Sequence, residues 1–201
     1  MNRRGFLAAT AAVLVSAGSR SLAAATVGDA QKYIGGLGED AISSLTGSSL
    51  NESDRETRFR SLLESHFDLP GISRFVLARY WKIATDAERA EFQKLFETLL
   101  VQAYARKFAD YAGERFQVSG GHDNSDGSML VNSVINRPSG DVVRLDWRVE
   151  GETGGMKIAD LIVEGVSLRT TYRSDVASVI QNKGGKVAGL LDALRQKTGS
   201  Q

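Results

Sequence analysis

Catalysis in this chain would have to be assembled from very few groups. There are two histidines, His66 just before Phe67 and His122 in a polar stretch, and there is no cysteine. A chain without cysteine forms no disulfide and holds neither an iron–sulfur cluster nor a cysteine-ligated zinc. No Gly-x-Ser-x-Gly elbow, His-Glu-x-x-His pair or Walker loop is present. Neither histidine has neighbours at ligand spacing, so no metal and no cofactor is expected, and His66 reads as a helix-end residue meeting terminal carbonyls. Gly36-Leu37-Gly38-Glu39-Asp40-Ala41 imitates a dinucleotide fingerprint, but no strand precedes it, which removes the context that motif needs. Asp123-Asn124-Ser125-Asp126-Gly127 has the opening of a calcium loop, yet Val134 stands where the closing glutamate belongs. It reads as a turn.

Three carboxylates fall on expected strands: Asp146, Asp160 and Glu164. A carboxylate held in an apolar pocket has a raised pKa and can act as a base, the arrangement of cone-shaped α+β isomerases. Alternation assigns Asp146 to a wet face, which leaves Asp160 as the one candidate base. Binding without catalysis fits the composition better, because an aromatic helix and an apolar sheet face can enclose a ligand cavity. Packed core and lined pocket carry the same sequence signature.

The elements that would position these groups are clearer than the groups. Thr85 and Glu88 form a capping box for one long helix of about 25 residues, roughly 37 Å, that runs towards Gly113. Phe92, Leu95, Phe96, Leu99, Leu100, Ala103, Tyr104, Phe108 and Tyr111 make its wide apolar stripe. Upstream, a helix is expected over 27–45 with Tyr33, Ile34, Leu37 and Ile42 inward. A linker over 46–51 follows, then a helix capped by Ser53 and Glu56 and ending at His66. Pro70 opens a short helix over 71–80. Downstream the period becomes two. In 141–151, Val143, Leu145, Trp147 and Val149 alternate with Arg144, Asp146, Arg148 and Glu150, a strand with one buried and one wet side. Stretches 116–119, 129–136, 156–163 and 166–172 are its expected neighbours, with turns at Asp126-Gly127, Pro138-Ser139-Gly140 and Gly154-Gly155. Ser174 then caps a helix with Val176, Val179 and Ile180, and a last helix carries Leu190, Leu191 and Leu194. The class is α+β, an antiparallel sheet of about five strands against several helices, with an apolar cavity between the layers.

Residues 1–25 read as an export signal. Arg3-Arg4 precedes Phe6-Leu7, an apolar run of about 13 residues follows, and small residues end it near Ala25. The paired arginines match the twin-arginine (Tat) type, which exports folded proteins. The run is too short for a membrane span of about 20 residues. Cleavage removes three arginines and no acid, so 25 basic and 24 acidic residues become 22 and 24, a net charge of −2. No concentrated basic face remains for nucleic acid. Residues 26–201 form one expected domain, soluble in the periplasm.

Three blocks give this chain a family likeness. The first is Pro70-Gly71-Ile72-Ser73-Arg74-Phe75-Val76-Leu77-Ala78-Arg79-Tyr80-Trp81, continued by Ala84-Thr85, Glu88-Arg89-Ala90-Glu91-Phe92, Phe96, Leu99-Leu100 and Ala103-Tyr104-Ala105. The second is Val142-Val143-Arg144-Leu145-Asp146-Trp147. The third is Asp160-Leu161-Ile162-Val163-Glu164-Gly165-Val166-Ser167-Leu168, then Tyr172-Arg173, Ile180, Gly184-Gly185, Leu190 and Leu194. In this order they resemble the MlaC family, the periplasmic phospholipid-binding proteins of the Mla lipid-asymmetry system, also called the toluene-tolerance family.

The resemblance implies a monomeric soluble carrier that shelters acyl chains and exchanges phospholipid with two partners. One is an inner-membrane ABC transporter complex with an MCE-domain ring; the other is an outer-membrane lipoprotein–porin complex. It implies no catalytic residue. By position, Phe92, Phe96, Leu99, Ala103, Leu145, Trp147, Val149 and Ile158 are the expected tail contacts. Arg74, Arg79 and Arg173 are the expected headgroup or partner contacts. A hopanoid-associated carrier, an isomerase-like enzyme built on Asp160 and a structural adaptor with a filled core remain the alternatives.

Overall fold

Alternation builds the sheet. The computed structural model describes residues 25–47, 49–151 and 155–199; the expected export signal up to residue 24, Ser48 of the first linker and the Gly154 side of one turn lie outside the described residues. Strands β1 (Arg115–Asp123), β2 (Met129–Asn136), β3 (Val142–Glu150), β4 (Lys157–Val163) and β5 (Val166–Ser167) form an antiparallel meander in chain order. Ile135, Ser133, Val131 and Met129 of β2 face Val143, Leu145, Trp147 and Val149 of β3, so the apolar face of β3 continues across its neighbour. Asp146, expected on the wet face, accepts a 2.7 Å hydrogen bond from Asn132 Nδ2. Next to it, Arg148 pairs with Asp126 and Glu150. The Asp123–Gly127 segment is thus the β1–β2 turn.

The third block of the family likeness folds differently from the simple alternation. Glu164 (φ +48°) and Gly165 (φ +79°) make a two-residue turn with both central residues left-handed, the hairpin geometry that matches strand twist. Glu164 is held there by its own carboxylate, which accepts from Arg144 N (2.5 Å) and Arg144 Nη2 (3.1 Å). Only Val166 and Ser167 pair with β4, and the expected strand over 166–172 is otherwise helical. Ser167 caps α5 (Leu168–Asn182) by accepting from Thr170 N, so the cap expected at Ser174 lies a helix turn and more inside. Hydroxyls at both positions could cap; the tight hairpin decides in favour of the earlier one.

Helix α1 (Val27–Leu45) has the expected bounds and a Thr26–Asp29 capping box. In α2 (Glu52–His66) the cap is Asn51, whose Oδ1 accepts from Asp54 N at 2.8 Å, and Ser53 lies inside the first turn. Asp68 caps α3 (Leu69–Leu77), with Pro70 in the first turn where its missing N–H costs nothing. A 3-10 turn over Ala78–Lys82 follows. Helix α4 (Asp86–Tyr104) carries the Thr85–Glu88 capping box but runs only 19 residues. At Tyr104 (φ −115°) the chain tightens into a 3-10 turn, Ala105–Phe108, which brings Phe108 against Phe59 of α2 at 5.9 Å between ring centres. That contact with α2 explains why the helix stops short of Gly113. Helix α6 (Val187–Thr198) ends the described chain.

Two cores result. Helices α3 to α6 bury Val76, Leu77, Phe92, Leu95, Ile180 and Leu190 in a helical core. A second core joins Ala30, Ile34 and Leu37 of α1 to Met129, Val131, Val149 and Ile158 of the sheet. Gly38 lets α1 approach β1, since a Cβ there would fall 2.3 Å from the Phe116 ring. The β4 edge is covered by β5 at one end and by Phe67–Asp68 at the other, where Asp68 N donates to Ile158 O at 3.0 Å.

Candidate functional site

A cavity of about 510 Å³ lies between the cores. Its walls follow from helix and strand periods. Phe96, Leu100 and Tyr104 line it at four-residue steps on α4, and Leu37, Ala41 and Leu45 do the same on α1. Phe59, Leu62 and Leu63 of α2 close another side, and Ile135, Val143, Leu145 and Trp147 form the sheet wall. The sheet's inner face is therefore divided. Its Met129–Val149–Ile158 end is filled by α1, and its Ile135–Val143–Leu145 end is left open.

The tryptophan, tyrosine and aspartate polar atoms of this wall are held by hydrogen bonds. Trp147 Nε1 donates to Ser133 Oγ at 2.8 Å, and Ser133 Oγ donates to Leu145 O at 3.1 Å. Tyr172 donates to the Tyr104 hydroxyl at 3.2 Å while its ring meets Phe96 edge-on. Burial pushes the Tyr172 hydroxyl well above its ordinary pKa, with the Tyr104 bond adding to it, so it stays neutral. Asp160, 5% exposed, accepts from Ser167 Oγ (2.6 Å) and Arg169 N (3.1 Å) and pairs with Arg169 Nε at 3.4 Å. Its oxygens anchor the start of α5. Away from the cavity wall, Tyr33 donates to His66 O at 3.1 Å, placing its oxygen 3.1 Å from His66 Nδ1. Burial pushes Tyr33 up to about 12 and, with a smaller effect from Lys157, pushes His66 down.

The residues singled out from the sequence divide three ways. Phe96, Leu145 and Trp147 stand on the cavity wall. Phe92 is fully buried in the helical core, Leu99 packs against that core, and Val149 and Ile158 are fully buried in the filled end of the sheet. Ala103 is exposed on α4. The stripe on α4 is wide because it serves two interfaces: Phe92, Leu95 and Leu99 meet the helical core, Phe96 and Leu100 meet both that core and the cavity, and Tyr104 meets the cavity. Arg74, Arg79 and Arg173 are exposed and off the cavity wall; Arg79 lies over Tyr80 at 4.9 Å and Arg173 over Phe75 at 5.2 Å. The charged side chains on the wall are instead Lys107, Glu114, Arg137, Asp160 and Arg169, four of which were not anticipated.

Fold and chamber define a class: α+β proteins that hold apolar space between a meander sheet and a layer of helices. The chain belongs to the MlaC protein family, whose model matches residues 38–196. The toluene tolerance protein Ttg2D of Pseudomonas putida is 23% identical over 126 residues, 62% of this chain and 59% of that protein's length. A phospholipid-binding protein from Ralstonia solanacearum, solved in complex with a phospholipid, superposes with a TM-score of 0.76 at 26% identity, over 85% of this chain and 97% of the other. Among the described residues, no helix is long and apolar enough to cross a membrane.

Proposed function

We propose that this protein is a periplasmic phospholipid carrier that shelters acyl chains in the cavity between sheet and helices. The apolar chamber of about 510 Å³ is the observation that carries the reading, and it falls within the usual range for ligand pockets. The likeness to a protein solved with phospholipid supports the ligand class. A two-tailed phospholipid carries roughly 30 methylenes, each worth about 0.8 kcal/mol on leaving water, so unassisted passage through an aqueous compartment is negligible. A dry chamber offsets that cost without catalysis, metal or nucleotide.

Phe96, Leu145 and Trp147 are the tail contacts among the residues anticipated, joined by Leu100, Tyr104 and Ala41. Exchange with an inner-membrane MCE-domain ABC transporter complex and an outer-membrane lipoprotein–porin complex completes the reading. Arg74, Arg79 and Arg173, all exposed, are proposed as partner contacts. A twin-arginine signal over residues 1–25 delivers the folded chain, residues 26–201, to the periplasm as a monomer. An isomerase draws no support from Asp160, whose oxygens are engaged by Ser167 and Arg169.

Lipid extraction and native mass spectrometry of the purified protein test this directly. Stoichiometric co-purifying phospholipid is expected. A co-purifying triterpenoid selects the hopanoid-associated alternative, and a lipid-free protein that takes up nothing from liposomes ends the carrier reading.

A further inference from the structure

The charged side chains on the cavity wall sit at two sides of the sheet. Asp160 and Arg169 belong to the β4–β5 side. They are paired with each other, and Arg169 also stacks over the Phe75 ring at 4.4 Å, so the wall here carries no uncompensated charge; Arg173, over the same ring at 5.2 Å, lies off the wall. Lys107, Glu114 and Arg137 belong to the β1–β2 side: Lys107 is in the 3-10 turn that packs on α1 and α2, Glu114 precedes β1, and Arg137 follows β2. Here the balance differs. Neither Lys107 nor Arg137 has an ion pair among the described residues, and both are exposed. Glu114 is bent onto its own loop. Its Oε2 accepts from Ala112 N at 2.7 Å, and its backbone carbonyl accepts the Tyr111 hydroxyl at 2.6 Å. The Ala112 N–H, and more weakly the Arg137 guanidinium, hold the Glu114 carboxyl below the usual range, so it stays charged. Two cations and one anion leave this rim one positive charge in excess.

We infer that Lys107 and Arg137 form a rim site for the phosphodiester of the bound lipid, fixing its headgroup at the β1–β2 side of the cavity and its tails towards Phe67, Leu69 and Ile72. The inference rests on the carrier reading above and adds to it an orientation and a headgroup chemistry. A phosphodiester carries one negative charge, which matches the excess at this rim. Arg offers a planar fork and Lys a compact charge, both ordinary phosphate partners. The Asp160–Arg169 pair is already neutral and has nothing to gain from an anion. Because the two cations are exposed, they act by holding a ligand whose tails are buried elsewhere.

The test compares uptake of three probes by the full mature chain: phosphatidylglycerol and diacylglycerol from liposomes, and inorganic phosphate in solution. The variants are wild type, Lys107→Gln with Arg137→Gln, and a charge control off the cavity wall, Lys32→Gln with Lys94→Gln. The rim variant is expected to lose about tenfold in phosphatidylglycerol uptake with diacylglycerol uptake unchanged, and the control to behave as wild type. Equal loss for both lipids, equal loss in the control, or no loss at all overturns the rim site. Inorganic phosphate binding to the lipid-free protein through Lys107 and Arg137, with lipid uptake unaffected by their loss, also overturns it in favour of a free-phosphate site. A wild-type protein that takes up neither lipid refutes the carrier reading itself, an outcome distinct from a rim that fails alone.

Discussion

Filling the cavity gives opposite signs for a chamber and for a packed core. Ala41 lies on the α1 wall between Leu37 and Leu45 and is partly buried. In Ala41→Phe the new ring would enter space that is apolar and unfilled. Burying a phenyl side chain is worth about 1.5–3 kcal/mol, and replacing alanine by phenylalanine costs the helix roughly 0.5 kcal/mol. The net is a gain of about 1–2.5 kcal/mol for the lipid-free protein. For a chain of this size 1 kcal/mol moves Tm by about 2–4 °C, so Tm should rise by roughly 2–10 °C. Lipid load should fall, because the ring occupies the chamber. If those residues were close-packed, the same ring would cost about 1–3 kcal/mol through overpacking. Thermal unfolding of delipidated protein, with lipid phosphorus per folded molecule measured in parallel, separates the cases. A lower Tm with an unchanged lipid load would refute the reasoning.

Other outcomes follow from single features. Phe96→Leu removes ring contacts to Phe92 (5.5 Å) and Tyr172 (5.2 Å); it should cost about 1–2 kcal/mol in denaturant unfolding and lower retained lipid per folded molecule at least twofold. If stability drops and lipid load holds, Phe96 is scaffold only. Ala78 sits at φ +50°, so Ala78→Gly should stabilise by about 1 kcal/mol once the entropy of glycine is set against the relieved strain; an unchanged or lower midpoint counts against strain there. His66 has its pKa lowered from 6.5 in the fold. The unfolded chain therefore binds its proton first, and stability from this group is full above pH 6.5 and lost as pH falls through the folded value. His66→Gln should flatten that acid limb in denaturation curves measured from pH 7.5 to 5, and an unaltered slope would rule His66 out as its source.

Much of the fold was legible because it rests on short-range rules. The α1 bounds, the Thr85–Glu88 box and the alternation of Val143, Leu145, Trp147 and Val149 all reappear as expected. Errors arose where two residues of equal local merit competed and a distant contact decided. Ser53 lost to Asn51, and Ser174 lost to Ser167 once the Glu164–Gly165 hairpin had turned the chain. The long helix expected to run from Thr85 towards Gly113 stops at Tyr104 because Phe108 packs on Phe59, a partner about fifty residues away in sequence. The cavity was the least legible feature. A void leaves no residue of its own, and Val149 and Leu145 share one strand face although the first is packed solid and the second borders open space. Lys107 and Arg137 carried no periodic signal at all.

The divided face of the sheet also bears on what happens after cargo leaves. Ala30, Ile34, Met129, Val131, Val149 and Ile158 pack against each other away from the chamber, and so do Val76, Leu77, Phe92, Leu95, Ile180 and Leu190 of the helical core. Ligand that binds only the native state adds stability in proportion to the logarithm of its concentration over Kd, but here that increment sits on top of two cores that stand without it. On the carrier reading, release of lipid would leave these cores in place and need not be a step towards unfolding.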